Sequence, residues 1–153
     1  TLSLAQAAGS RGMVLGQALD MAAESAAVPL TLDEITALQV GKTGALILWS
    51  AQAGARLAEA DLAPLTAYAQ RLGLAFQIAD DILDREADIG AMGKAVGKDA
   101  AAGKGTLVDR LGLDGAKREC ARLIAEADAA LEAFGERAAN LRAAAHFTAA
   151  RKH

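Results

Sequence analysis

Apolar residues recur along this chain at alternating steps of three and four, the spacing that lines one face of an α-helix. The most sustained run is Leu62, Leu65, Ala69, Leu72, Phe76, Ala79 and Leu83, which predicts a helix over about Leu62–Arg85. Asp61 stands before it as an N-cap. Pro64 falls in its first turn, where a missing N–H costs nothing. A second stripe, Ile35, Leu38, Ala45, Trp49 and Gln52, predicts a helix over about Leu32–Leu57, and Lys42 lies on the same stripe. Thr31 is the expected N-cap of that helix, with Asp33 and Glu34 in its first turn, where acids suit the helix dipole. An earlier helix is expected over about Leu2–Glu24, followed by a loop, Ser25–Leu30, that holds Pro29. Two later helices are expected over about Leu113–Phe134 and Glu136–Arg151. Between Gly90 and Gly105 the texture changes: five glycines and three lysines in sixteen residues predict a mobile loop with at most a turn of helix. Helix after helix with short connections predicts an all-α helical bundle.

Composition sharpens this picture. The 153 residues make one domain, and a hydrophobic content of 53% excludes a disordered chain. Ala fills 40 positions against 18 for Val, Ile and Thr together, a balance that favours helix over sheet. No uncharged apolar run reaches the roughly 18 residues a membrane span needs, and the N-terminus has no signal-peptide pattern. A net charge of −3 argues against a nucleic-acid partner. The single cysteine, Cys120, excludes an internal disulfide and fits a reducing compartment, so a cytoplasmic setting is expected.

The predicted third helix ends in Asp80-Asp81-Ile82-Leu83-Asp84. On a wheel of about 100° per residue, Gln77, Asp80, Asp81 and Asp84 share a wedge of roughly 100°, with the apolar stripe beside it. Carboxylates this close repel one another, and they sit at the end of the helix dipole that disfavours anions. Two explanations are open: a solvated acidic helix end, or a cation site. Carboxylates from one helix, with positions left for water or phosphate oxygens, suit Mg²⁺. The lack of accompanying His or Cys argues against Zn²⁺.

Lysines supply the complementary charge. Lys94, Lys98 and Lys104 each follow a glycine, so the backbone can approach an anion closely. The segment is either a solvated basic loop or one side of a polyphosphate grip, with metal on the aspartates as the other side. Lys42 either covers apolar surface with its stem or points toward an anionic ligand beside Thr43 and Gly44. Gln17, Asp20 and Glu24 share a helical face, which structural hydrogen bonds explain equally well. Cys120, His146 and His153 show no ligand or nucleophile spacing and are expected to be structural or surface residues.

Taken together, these segments resemble the trans-prenyltransferases, the polyprenyl diphosphate synthase family. Gly73-Leu74-Ala75-Phe76-Gln77-Ile78-Ala79-Asp80-Asp81-Ile82-Leu83-Asp84 is similar to the family's second aspartate-rich motif with its Phe-Gln lead-in. Lys42-Thr43-Gly44 resembles its Lys-Thr dipeptide, and Gly16-Gln17-Ala18-Leu19-Asp20 its Gly-Gln-x-x-Asp segment. Gly93-Lys94, Gly97-Lys98-Asp99 and Gly103-Lys104 resemble the loop after the second motif. The agreement runs over about residues 9–113 and is closest to short-chain bacterial members that make farnesyl or geranylgeranyl diphosphate. One departure is Gly105-Thr106-Leu107-Val108, where many members have a Tyr-Pro pair.

The resemblance implies an isoprenoid-synthase fold and a head-to-tail condensation of an allylic diphosphate with isopentenyl diphosphate. It implies that Asp80, Asp81 and Asp84 hold Mg²⁺ on the diphosphate. Lys42, Lys94 and, more weakly, Lys104 would grip the diphosphate oxygens, with Thr43 and Gln77 beside them. The family's first aspartate-rich motif has no counterpart, since no second Asp-Asp-x-x-Asp occurs in the sequence. The expectation is therefore that residues 1–153, which begin at Thr1, form the C-terminal portion of a single synthase domain. Alone they would be inactive, and they would associate with a second copy or with the missing N-terminal half. Two alternatives remain open at this level. One is a terpene-synthase-like lyase; the other is a non-catalytic small subunit or helical interaction module.

Overall fold

Capping residues set where the helices begin. Thr31 Oγ1 accepts from the Glu34 amide at 3.3 Å, and the Thr31 amide donates to Glu34 Oε2 at 2.8 Å, a reciprocal box. Thr106 and Asp109 form a second such box. Asp61 Oδ1 accepts from the Ala63 amide at 2.9 Å, as expected of a cap ahead of Pro64. The computed structural model describes residues 1–24, 28, 31–92 and 106–151. It contains α1 (Leu2–Ala8), α2 (Met13–Glu24), α3 (Leu32–Gln39), a π-helical turn (Val40–Gly44), α4 (Ala45–Leu57), α5 (Ala63–Met92), α6 (Leu107–Ala130), a 3₁₀ segment (Glu132–Ala138) and α7 (Ala139–Ala150). Every element is helical, with no strand among the described residues.

The predicted elements hold with local corrections. The first helix is two, because the chain turns over Gly9–Gly12 between α1 and α2. The second runs through as expected, but with a wider turn at its centre. The third extends to Met92, so Gly90–Met92 are helical, while the rest of the predicted loop lies outside the described residues. The helix expected from Leu113 gains an N-terminal turn from Leu107, offset from the rest by Gly112, whose φ of 68° breaks the helical path. Gly135, at φ 53°, divides the 3₁₀ segment where the last two helices were separated in the sequence.

The core lies between α5 and α6. Leu65, Tyr68, Ala69, Ala75, Ile78, Ala79 and Ile82 from α5 meet Ala116, Cys120, Leu123, Ile124 and Ala127 from α6. Alanines on both sides let the two backbones approach, and Leu131, Ala138 and Ala145 close the far edge. The buried line of α5 is turned by roughly 60° from the predicted stripe, counted at about 100° per residue. Tyr68, Ala75, Ile78 and Ile82 carry it, whereas Phe76 and Leu83 are only half-buried. The acidic wedge consequently lies opposite the main core, not beside the apolar face as expected. The cause is that α5 packs on two sides, against α6 on one and against α4 and the π turn on the other.

Tyr68 is the only tyrosine of the chain and is almost fully buried. Its hydroxyl donates to the Leu141 carbonyl at 2.7 Å, tying α5 to α7. Burial, with Asp128 nearby, pushes its pKa up to about 12 from 10.0. The folded state holds this proton more tightly than the unfolded state. Its contribution is therefore complete below pH 10 and is lost as pH rises through 12. Tyrosinate absorbance of the native chain should rise with a midpoint near 12, against one near 10 in denaturant. Tyr68→Phe should abolish that signal and lower stability to urea by about 1 kcal/mol.

Candidate functional site

Glycines build the site by letting three helical segments touch. A Cβ on Gly16 of α2 would lie 2.1 Å from the Lys42 amide nitrogen, and one on Gly41 would lie 3.2 Å from Gly16 Cα. On the other side, a Cβ on Gly73 of α5 would lie 3.6 Å from Gly44 Cα. The segment Val40–Gly44 is thus held between α2 and α5. It winds as a π turn, which inserts an extra residue into the helix and turns Lys42 and Thr43 off the regular register.

Lys42 is neither buried nor free: its side chain is 39% exposed and its ammonium pairs with the Asp20 carboxylate of α2. The structure therefore joins Lys42-Thr43-Gly44 and Gly16-Gln17-Ala18-Leu19-Asp20, 22 positions apart, through the glycine contact and this ion pair. Gln17 is exposed and takes no part in the pair; the side chain of residue 24 is outside the described set. Thr43 is half-buried on the same turn.

On α5, Gly73, Gln77, Asp80 and Asp84 follow one another at steps of four, three and four, along one line of the helix. Gly73 fixes the direction of that line, because it rests on Gly44 beside the Lys42-Thr43 turn. Gln77, Asp80 and Asp81 are half-buried and Asp84 is exposed. Asp80 is engaged by Arg151, the residue that follows α7. The Arg151 guanidinium donates to Asp80 Oδ1 and to the Phe76 carbonyl at 3.3 Å, and stacks on the Phe76 ring with 4.2 Å to its centroid. Asp81 also has an interaction partner.

Nothing in the sequence pointed to Arg151. It lies 71 positions from Asp80, and a basic residue at the end of a last helix is commonplace. Lys94, Lys98 and Lys104 lie outside the described residues. Cys120 is buried, donates to the Ala75 carbonyl at 3.6 Å and has its thiol pKa raised by desolvation, as suits a core residue. His146 meets Asp128 at 2.6 Å on the surface, and His153 lies outside the described residues. A cleft of about 430 Å³ between α1 and α4, lined by Arg11, Trp49, Gln52 and Arg56 among others, contains none of the predicted site residues.

The donor set can be tested against Mg²⁺. Among the described residues no three carboxylate, imidazole or thiol groups converge into a closed cage. Mg²⁺ is usually bound through one or two carboxylates, with the rest of its shell from phosphate oxygens and water. Asp80 and Asp84, one helical turn apart on an open face, match that pattern, and no soft ligand accompanies them.

Known proteins resemble this chain in sequence and share this fold. The polyprenyl synthetase family model matches residues 4–140, and the chain belongs to that family. It is 41% identical over 138 residues to a farnesyl diphosphate synthase of Haemophilus influenzae, covering 84% of this chain and 45% of the relative. To a farnesyl diphosphate synthase of Geobacillus stearothermophilus it is 46% identical over 121 residues, covering 77% of this chain and 40% of the relative. The apo structure of an FPP/GFPP synthase from Zymomonas mobilis superimposes with a TM-score of 0.81 at 41% identity, over 96% of this chain and 49% of that one. The chain thus spans somewhat less than half the length of these curated relatives. The all-α isoprenoid-synthase architecture expected from the sequence is the one found.

The close approach at Gly16 gives a direct test. A Gly16→Ala methyl would meet the backbone of the π turn, which cannot move aside without separating α2 from α5. Gly16→Ala should cost about 3 kcal/mol or more in urea unfolding. Gly54→Ala on α4 meets open space and should stabilise by about 0.5–1 kcal/mol.

Proposed function

We propose that this chain supplies the allylic-diphosphate wall of a Mg²⁺-dependent, short-chain prenyl diphosphate synthase. The observation that carries it is the Gly44–Gly73 contact, which sets the Lys42-Thr43 turn against the line of α5 that bears Gln77, Asp80 and Asp84. Family membership and the names of the relatives support the same chemistry. The reaction is head-to-tail condensation. The allylic C–O bond breaks, its electron pair leaving with the diphosphate. The double bond of isopentenyl diphosphate attacks the allylic carbon, and a proton is lost.

Charge separation dominates that barrier, so groups that stabilise the departing diphosphate matter most. Mg²⁺ held by Asp80 and Asp84, with Asp81 in support, would neutralise diphosphate oxygens. Lys42 offers its ammonium directly. At rest Asp20 balances this charge, and a bound diphosphate takes over that partnership without the side chain being newly ordered. Thr43 adds a hydroxyl next to it, and Gln77 orients groups at the wall. Lys94 and Lys104 join the proposal through the sequence resemblance alone. The apolar faces of the surrounding helices keep water from the allylic cation.

The 153 residues hold a single Asp-Asp-x-x-Asp string. With one carboxylate wall in place of two, the polypeptide by itself is proposed to bind metal–diphosphate weakly and not to turn over. Leu2, Val14, Leu15, Leu19 and Met21 are exposed on α1 and α2, and an apolar surface of this kind is proposed to meet a second copy or the remainder of a synthase. A cytoplasmic setting is proposed, in keeping with the free, buried Cys120.

Calorimetry with Mg²⁺ and inorganic pyrophosphate should show weak saturable binding, reduced roughly tenfold or more by Lys42→Ala and by Asp80→Asn. Binding unaffected by either substitution would overturn the site. With geranyl and isopentenyl diphosphates, mass spectrometry should detect no longer prenyl diphosphate from this chain alone. Its appearance would overturn the proposed inactivity. A product formed without isopentenyl diphosphate would favour the lyase alternative.

A further inference from the structure

The contact between Arg151 and Asp80 has no part in the chemistry just described, yet it occupies the first carboxylate of the metal-binding line. We propose that Arg151 is a displaceable latch: its guanidinium stands in for the divalent cation on Asp80 and must leave before metal–diphosphate can bind there. The proposal rests on the reading of Asp80 and Asp84 as metal ligands.

Four observations support it. The guanidinium is on the carboxylate itself, bonded to Asp80 Oδ1. It is also docked, stacked on Phe76 and bonded to the Phe76 carbonyl, and the Arg151 side chain is only 21% exposed. Docking is incomplete, because Arg151 Nε is buried with no hydrogen-bond partner. A buried donor left unmade is a standing cost, so the bound position is weaker than a fully satisfied Arg–carboxylate pair. Finally, Arg151 sits where the chain has just left α7, with extended backbone at φ −61° and ψ 143°. It can swing away without unwinding the helix behind it.

Electrostatics gives the latch a purpose. Three carboxylates share one face of α5, and their repulsion is relieved by whichever cation is present. A single guanidinium relieves part of it. A divalent ion with phosphate ligands relieves more and takes the same oxygen, so the two compete.

Competition separates this idea from a structural tie. Mn²⁺ alone serves as the probe, its affinity for the full 153-residue chain read by water-proton relaxation. Arg151→Met keeps the apolar stem over Phe76, and Arg151→Gln keeps a donor without charge. Each should bind Mn²⁺ about fivefold or more tightly than the parent chain, and Asp80→Asn should abolish the gain. If either folded variant binds Mn²⁺ as the parent does, or more weakly, the latch is overturned while Asp80-dependent binding in the parent keeps the metal site. If Mn²⁺ binding never depends on Asp80, in the parent or the variants, the metal site falls and the latch with it.

Discussion

The close approach of α2, the π turn and α5 is the constraint on which the rest of this structure depends. Two backbone contacts define it, Gly16 against Lys42 and Gly73 against Gly44. Gly16 has no room for a side chain larger than hydrogen without a shift of backbone, while a Cβ on Gly73 would reach ordinary van der Waals contact with Gly44 Cα at 3.6 Å. Because both contacts act on one short segment, they fix its rotation as well as its position. A helix in regular register at this point would present different residues to its neighbours. The π turn resolves that conflict locally, and the irregular winding falls on the one stretch that carries a lysine and a threonine side by side.

Charge pairing then completes what backbone packing begins. Lys42 and Asp20 come from different segments, and so do Arg151 and Asp80; each pair is partly exposed. Ion pairs in such settings contribute little to stability, typically about 0–1 kcal/mol. Their value here lies in arrangement. Each holds a long side chain in one place, so an incoming anion or cation meets a preset partner and not a mobile one. The two pairs also work in opposite senses. In one, a carboxylate restrains the cation that an anionic ligand would meet. In the other, a cation covers the carboxylate that a metal would meet. On the proposed reading the site would be electrically closed in the absence of ligand, and an ionised ligand would open it by exchange.

Much of this was legible in the sequence because it depends on local rules. Thr31, Asp61 and Pro64 announced helix starts through groups within three residues of one another. The aspartates on α5 were legible as a wedge, since helical geometry alone places 77, 80, 81 and 84 together. Features that depend on two distant segments were not. Gly16 and Gly41 look like ordinary helix-weakening residues until α2 is laid on the π turn. The face that α5 buries was misjudged by a fraction of a turn, because periodicity weighs residue type and takes no account of α6 pressing from one side and α4 from the other. Arg151 could not be read at all: its role comes from the fold bringing the end of α7 to Phe76.

The two faces of α2 carry the same logic beyond the site. Gly16 and Asp20 are on the side that meets the π turn, while Val14 and Met21 lie opposite and Leu15 and Leu19 flank them, all four exposed. An amphipathic surface helix would place polar residues there. Here the outward face is apolar although the inward one is already committed by a contact too close for side chains. A helix with packing partners on both sides cannot satisfy a simple polar-outside pattern, and α5 shows the same property within this chain. The apolar outer face of α2 therefore has the character of an interior surface.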